Sequence, residues 1–189
     1  MGTTISETLN SITNLWNFGS GLRKDFINRN GFLYACDFET RLNLDLIDTI
    51  NMKEINGTEN TRAFTELVNS FETKAILAMI AGTDRRNYRR LVKLLKKYWS
   101  PLDEPLENEG DNPTAQEIVD NAIENFSFAV RKIEGLKRIA TLAGNEATFL
   151  NNFYIDRRLS NIKKAFIGIK NCLEKVIQET GKCCLLSHK

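Results

Sequence analysis

Histidine is nearly missing from this 189-residue sequence: its one copy is His188, next to the last residue. That removes the most versatile general base at neutral pH, and the commonest metal ligand, from the body of the chain. No zinc site of the usual cysteine and histidine kind can be assembled, and the Glu-x-x-His pairs of di-metal carboxylate bundles are absent. No metal and no cofactor is therefore expected. A phosphate-binding loop of the GxxxxGK type is also absent, and Gly19-Ser20-Gly21 alone reads as a kink and not as a nucleotide site.

Proline is as restricted. The three copies, Pro101, Pro105 and Pro113, fall in one short stretch, so every other segment is free of the strongest helix breaker. Long apolar runs are missing too, Ala75 to Ala81 being typical, and a membrane span needs about 18 such residues. Of the cysteines, Cys36 and Cys172 stand alone, while Cys183 and Cys184 are adjacent in a polar setting. None has the spacing of a disulfide framework or a CxxC motif, so free thiols and a cytoplasmic location are expected. Met1-Gly2-Thr3-Thr4-Ile5-Ser6 has the form of an N-myristoylation site. A single acyl chain anchors only marginally, and membrane attachment is not the expected mode.

What is present is helical period. One domain over residues 1–180 with a polar tail at 181–189 suits this length, which allows a core without staples. A first helix is expected from Thr3 to Asn30, with Ile5, Leu9, Ile12 and Trp16 on one face. From Phe32 to Met52 two periods compete. Leu42, Leu44 and Leu46 alternate as in a strand, whereas Phe38, Leu42, Leu46 and Ile50 recur as in a helix, and helix is favoured. One amphipathic helix is expected from Glu59 to Ile80, and another from Thr83 or Asp84 to Ser100-Pro101. Asn112-Pro113 is a helix start, which predicts a long helix to Ala143. Gly144-Asn145 then links it to a last helix over Glu146–Glu179. Two long helices joined so closely must run antiparallel. The fold class is thus all-α, a five- or six-helix bundle built on a long C-terminal antiparallel hairpin.

Charge is unevenly spread. Residues 85–99 carry 7 basic groups and no acid, and residues 100–124 carry 8 acids and no base. Arg85, Arg86, Arg89, Arg90, Lys93, Lys96 and Lys97 lie opposite the apolar face of their helix, a row of donors that suits a phosphate backbone. Counting outward from Gly144-Asn145 brings Lys132 level with Arg157 and Arg131 level with Arg158, a second basic group. An ordinary solvated face, neutralised by Asp103, Glu104, Glu107, Glu109 and Asp111, is the competing reading. The acids Glu117, Asp120 and Glu124 recur along one helix flank and read as solvated. Trp99, Phe128 and Tyr154 lie off the main apolar faces and are the expected interface residues, since aromatics are enriched in interface cores.

With the residues of common catalysis missing, the sequence reads first as a non-catalytic interaction or oligomerisation module of a larger assembly. Its partner would be a protein or a second copy of the chain. The alternative is a nucleic-acid-binding helical protein that uses the basic helix over residues 85–97.

Overall fold

A computed structural model describes residues 31–50, 58–81, 85–108, 122–143 and 153–186. They form six helices: α1 (Gly31–Thr49), α2 (Thr58–Asn69), α3 (Lys74–Ala81), α4 (Arg85–Tyr98), α5 (Ala122–Ala143) and α6 (Ile155–Leu186). No strand occurs among the described residues. The helix expected over Thr3–Asn30, the start at Asn112-Pro113 and the link at Gly144-Asn145 lie outside them.

The spine is the pair α5 and α6. Along α5 the buried residues Ala122, Phe126, Ala129, Ile133, Leu136, Ala140 and Ala143 alternate at four and three. Ile155, Leu159, Ile162, Phe166, Ile169, Leu173 and Val176 do the same along α6. That spacing keeps one seam of each helix facing the other at a shallow crossing angle. The remaining helices lie around this hairpin: α1 and α4 pack on α6, and α2, α3 and α4 pack on α5. Lys163 Nζ on α6 reaches Asp48 of α1 at 2.6 Å, and Arg41 Nη2 of α1 reaches Glu174 of α6 at 2.7 Å. These two bridges fix α1 antiparallel to α6.

In α1 the helical period prevails over the strand-like alternation. Leu42 and Leu46 are buried and Leu44, between them, is half-buried, because a helix carries residues four apart to one face. The last helix differs from expectation at its start, which is Ile155 and not Glu146. Tyr154 precedes it with φ at 50°. It continues to Leu186, into the segment expected as a tail.

The single helix expected over Glu59–Ile80 is two. Residues 70–73 leave the helical path although Phe71 and Ala75 continue the apolar period. Two polar side chains one turn apart on α1 hold the break. Glu39 is fully buried, and its two carboxylate oxygens accept the backbone N–H groups of Ala75 at 2.8 Å and Ile76 at 2.9 Å. These are the second and third residues of α3, the positions that a capping side chain normally satisfies. No acid lies in the first turn of α3 itself, so Glu39 brings to that helix dipole the negative charge it favours. Asn43, also buried, donates from Nδ2 to the carbonyl of Glu72 at 2.6 Å and accepts the N–H of Glu72 on Oδ1 at 3.0 Å. From the other side Lys137 of α5 donates to the carbonyl of Phe71 at 2.9 Å. Backbone groups freed by breaking the helix are thus re-paired by α1 and α5, which lets the break lie inside the bundle.

Removing either clamp strands buried backbone groups. Glu39→Ala should cost about 3 kcal/mol and Asn43→Ala about 2 kcal/mol, whereas loss of the exposed Arg62–Glu66 pair through Arg62→Ala should cost under about 0.5 kcal/mol. Urea denaturation of the three variants tests the order. Equal costs would mean that the clamps are no more than surface contacts.

Candidate nucleic-acid interface

Helix α4 separates its residues cleanly. Leu95 is fully buried, with Leu91, Val92, Leu94 and Tyr98 half-buried around it. Cys172 of α6 donates its thiol to the carbonyl of Leu95 at 3.5 Å, and burial pushes the pKa of that thiol up to about 12. One turn further on, α4 meets α6 at Gly168. A Cβ there would stand 3.0 Å from Trp99 Cη2 and 3.0 Å from Leu102 Cδ2. Leu95 at Cys172 and Trp99 at Gly168 set α4 antiparallel to α6.

The opposite face is basic. Arg89, Arg90, Lys93 and Lys96 are all exposed, and none has a hydrogen bond or an ion pair with a described residue. Lys97, exposed beside them, stands 4.9 Å from the centre of the Tyr98 ring. Its pKa is raised, chiefly by its proximity to Tyr98 and to a lesser degree by Glu179. The backbone of α4 places Arg85 and Arg86 on the same arc, and their side chains lie outside the described residues.

Many cations elsewhere are occupied. Arg41 pairs with Asp37 and Glu174, Lys163 with Asp48, Lys170 with Glu174 and Lys137 with Glu134. The decisive case is Lys164, which takes Glu104 at 3.6 Å and Glu107 at 3.5 Å. Those two acids belong to the stretch that would be expected to neutralise α4, and the structure lays them along α6 instead. Asn161 is fully buried there, accepting the N–H of Glu107 on Oδ1 at 2.7 Å and donating from Nδ2 to its carbonyl at 2.9 Å. Ser160 donates to the Glu107 carboxylate at 2.9 Å, Arg157 to the carbonyl of Asn108 at 3.0 Å and Lys164 to that of Pro105 at 3.3 Å. Leu106 is buried beneath, and Asp103 is exposed. Glu109 and Asp111 lie outside the described residues.

The second basic group is more dispersed than the counting from Gly144-Asn145 suggests. Asn125 Nδ2 would meet a Cβ on Gly168 at 3.6 Å, a register that brings Lys132 level with Asn161 and not with Arg157. Arg157 lies over the Tyr154 ring, 5.3 Å from its centre, and Arg158 donates from Nε to the carbonyl of Phe153 at 2.7 Å. Lys132 stands 5.3 Å over the Phe128 ring, and Arg131 is exposed. Of the three aromatic residues expected at an interface, Phe128 is buried in this chain's own core and Trp99 is half-buried against Gly168. The buried indole N–H of Trp99 has no acceptor among the described residues. Tyr154 is open to solvent.

Among the described residues no group of three or more His, Cys, Asp or Glu side chains could hold a metal ion. No helix among them is long and apolar enough to cross a membrane. Glu124 is exposed on α5, and Glu117 and Asp120 lie outside the described residues. No protein-family model matches the chain, and no curated protein or solved structure does.

The basic stripe is legible in the sequence, whereas Asn161 and Gly168, which position it, are not. Two glycine substitutions test that packing. Gly135 of α5 has open space around it, with nothing within 4 Å of where a Cβ would stand. Gly135→Ala should therefore stabilise by up to about 1 kcal/mol through helix propensity alone. Gly168→Ala gains the same propensity but drives a methyl into the Trp99 ring and Leu102, for a net loss of about 1 kcal/mol. Thermal melts should move in opposite directions, and a stabilising Gly168→Ala would contradict the close docking of α4 on α6.

Proposed function

We propose that this chain works by binding, and that the exposed face of α4 holds the phosphate backbone of a nucleic acid. The observation that supports this reading is the state of its cations. Arg89, Arg90, Lys93 and Lys96 are exposed and have no described partner, while Glu104 and Glu107 of the acidic stretch that follows are engaged by Lys164 and Ser160 of α6. A solvated face of an ordinary bundle mixes both signs of charge, whereas this one carries a single sign along a whole helix. Cations four residues apart advance by about 6 Å along the helix axis, so successive turns can meet successive phosphates. The basic arc is made of lysine and arginine, the side chains that most often meet phosphate oxygens, and phosphate contacts position a protein on the backbone.

A protein partner has less to recommend it. The exposed large apolar residues Tyr34, Leu77, Leu142, Tyr154 and Ile167 stand on α1, α3, α5, the turn before α6 and α6 itself. No single helix among the described residues therefore presents an exposed apolar stripe.

Fluorescence anisotropy with a labelled DNA of about 20 nucleotides, offered single-stranded and as a duplex at about 50 mM salt, tests the reading. About four phosphate contacts predict a log–log salt slope near roughly −3.6 on the duplex. The double charge reversal Arg89→Glu with Lys93→Glu should weaken binding by about 100-fold whatever the sequence, and should leave stability within about 0.5 kcal/mol. Failure of the wild-type chain to bind either form would remove the proposal.

A further inference from the structure

The face of α4 is wider than one strand of phosphates needs. At about 100° per residue, Lys96 and Arg89 define one edge of the basic arc and Arg90 and Lys97 the other, about 100° apart, with Lys93 midway between them. The arc is therefore two rows, each advancing about 10 Å along the helix axis from its first cation to its last. With charged ends roughly 8 Å from the axis, the rows stand about 12 Å apart. A single strand offers its phosphates in one file and can occupy one row. A duplex offers two files across a groove, and the major groove of B-form DNA, about 12 Å wide, admits a helix between its walls.

Among the described residues, base stacking, the other means of holding a single strand, is missing from this face. Proteins that grip single strands combine a basic groove with exposed rings on which successive bases stack. The tyrosines of α4, Tyr88 and Tyr98, are half-buried on its apolar side. The exposed ring of Tyr154 precedes Gly168, the docking point of Trp99, by 14 residues, or about 21 Å along α6.

We infer that the ligand of the α4 face is double-stranded nucleic acid, held with one row of cations on each strand. This rests on the phosphate-binding reading above, and the experiment separates the two. The full chain is titrated with a duplex of about 20 base pairs and with either of its single strands between about 50 and 200 mM salt. Four phosphate contacts on the duplex, two from each row, predict a slope near about −3.6, against about −2 for a single strand that engages one row and Lys93. Two paired variants then remove one row each, Arg89→Ala with Lys96→Ala and Arg90→Ala with Lys97→Ala. Each should reduce duplex affinity about 100-fold at about 50 mM salt and flatten the slope by just under two, because neither row replaces the other. Single-strand binding should fall only a few-fold in either variant, since the remaining row serves. All four positions are exposed, so the variants should keep the wild-type circular dichroism and melting temperature. Single strands bound as tightly as duplex, with equal slopes, would overturn the inference and leave the phosphate-binding reading standing. So would single-strand losses as large as those on duplex. No binding to either form would overturn both.

Discussion

The side-chain amide of Asn161 satisfies both backbone groups of Glu107, and the separation of Glu104 and Glu107 from the basic face of α4 depends on that exchange. The segment that follows α4 is acidic and interrupted by Pro101 and Pro105, and left unbound it would lie within reach of the cations it follows. Opposite charges in proximity attract whatever their sequence order. What holds the acids elsewhere is directional: two hydrogen bonds made at the fully buried Asn161 side chain, where an unmet partner costs about 1–3 kcal/mol, reinforced by Lys164, Arg157 and Ser160. Screened attraction between exposed charges contributes less than that, so the hydrogen bonds decide where the segment lies.

The same device recurs at the other connection. Glu39 and Asn43 pair with the backbone at residues 72–76 as Asn161 pairs with Glu107. In each case a helix presents a buried polar side chain whose partner is main chain, not another side chain. A non-helical segment can then lie against the helices with these N–H and C=O groups paired. The apolar seam of α5 and α6 supplies most of the burial. The polar clamps determine which connections lie against it and in what register, a division suited to groups that are costly to bury unless their partners are in place.

Periodicity reveals the pairing of the two long helices and the helical character of α1, because burial on a helix repeats every three to four residues and that pattern is local. The break between α2 and α3 is not legible in the sequence, since Phe71 and Ala75 continue the apolar period straight through it. Its cause, the carboxylate of Glu39, lies 36 residues away in sequence. Phe128 illustrates a related limit. It sits off the single stripe that a surface helix would bury, but α5 is covered by α2, α3, α4 and α6, so its buried arc is wider than one stripe. For the candidate site, the run of cations in α4 is visible as composition. That Lys164 rather than α4 takes the acids is not, because ion pairing across helices depends on register, and register depends on clamps such as Asn161 and close approaches such as Gly168.

Docking of residues 104–108 against α6 is what keeps Glu104 and Glu107 away from α4, and amide hydrogen exchange at Glu107 measures it most directly. An amide in an irregular stretch two residues after a proline would ordinarily exchange as an open loop does. Bound to Asn161, the Glu107 N–H should be protected to nearly the degree of the surrounding α6 amides, and Asn161→Ala should abolish that protection while α6 stays protected. Exchange of the Glu107 amide at the free-chain rate in the wild-type protein would contradict this, because the acids would then be free to neutralise α4.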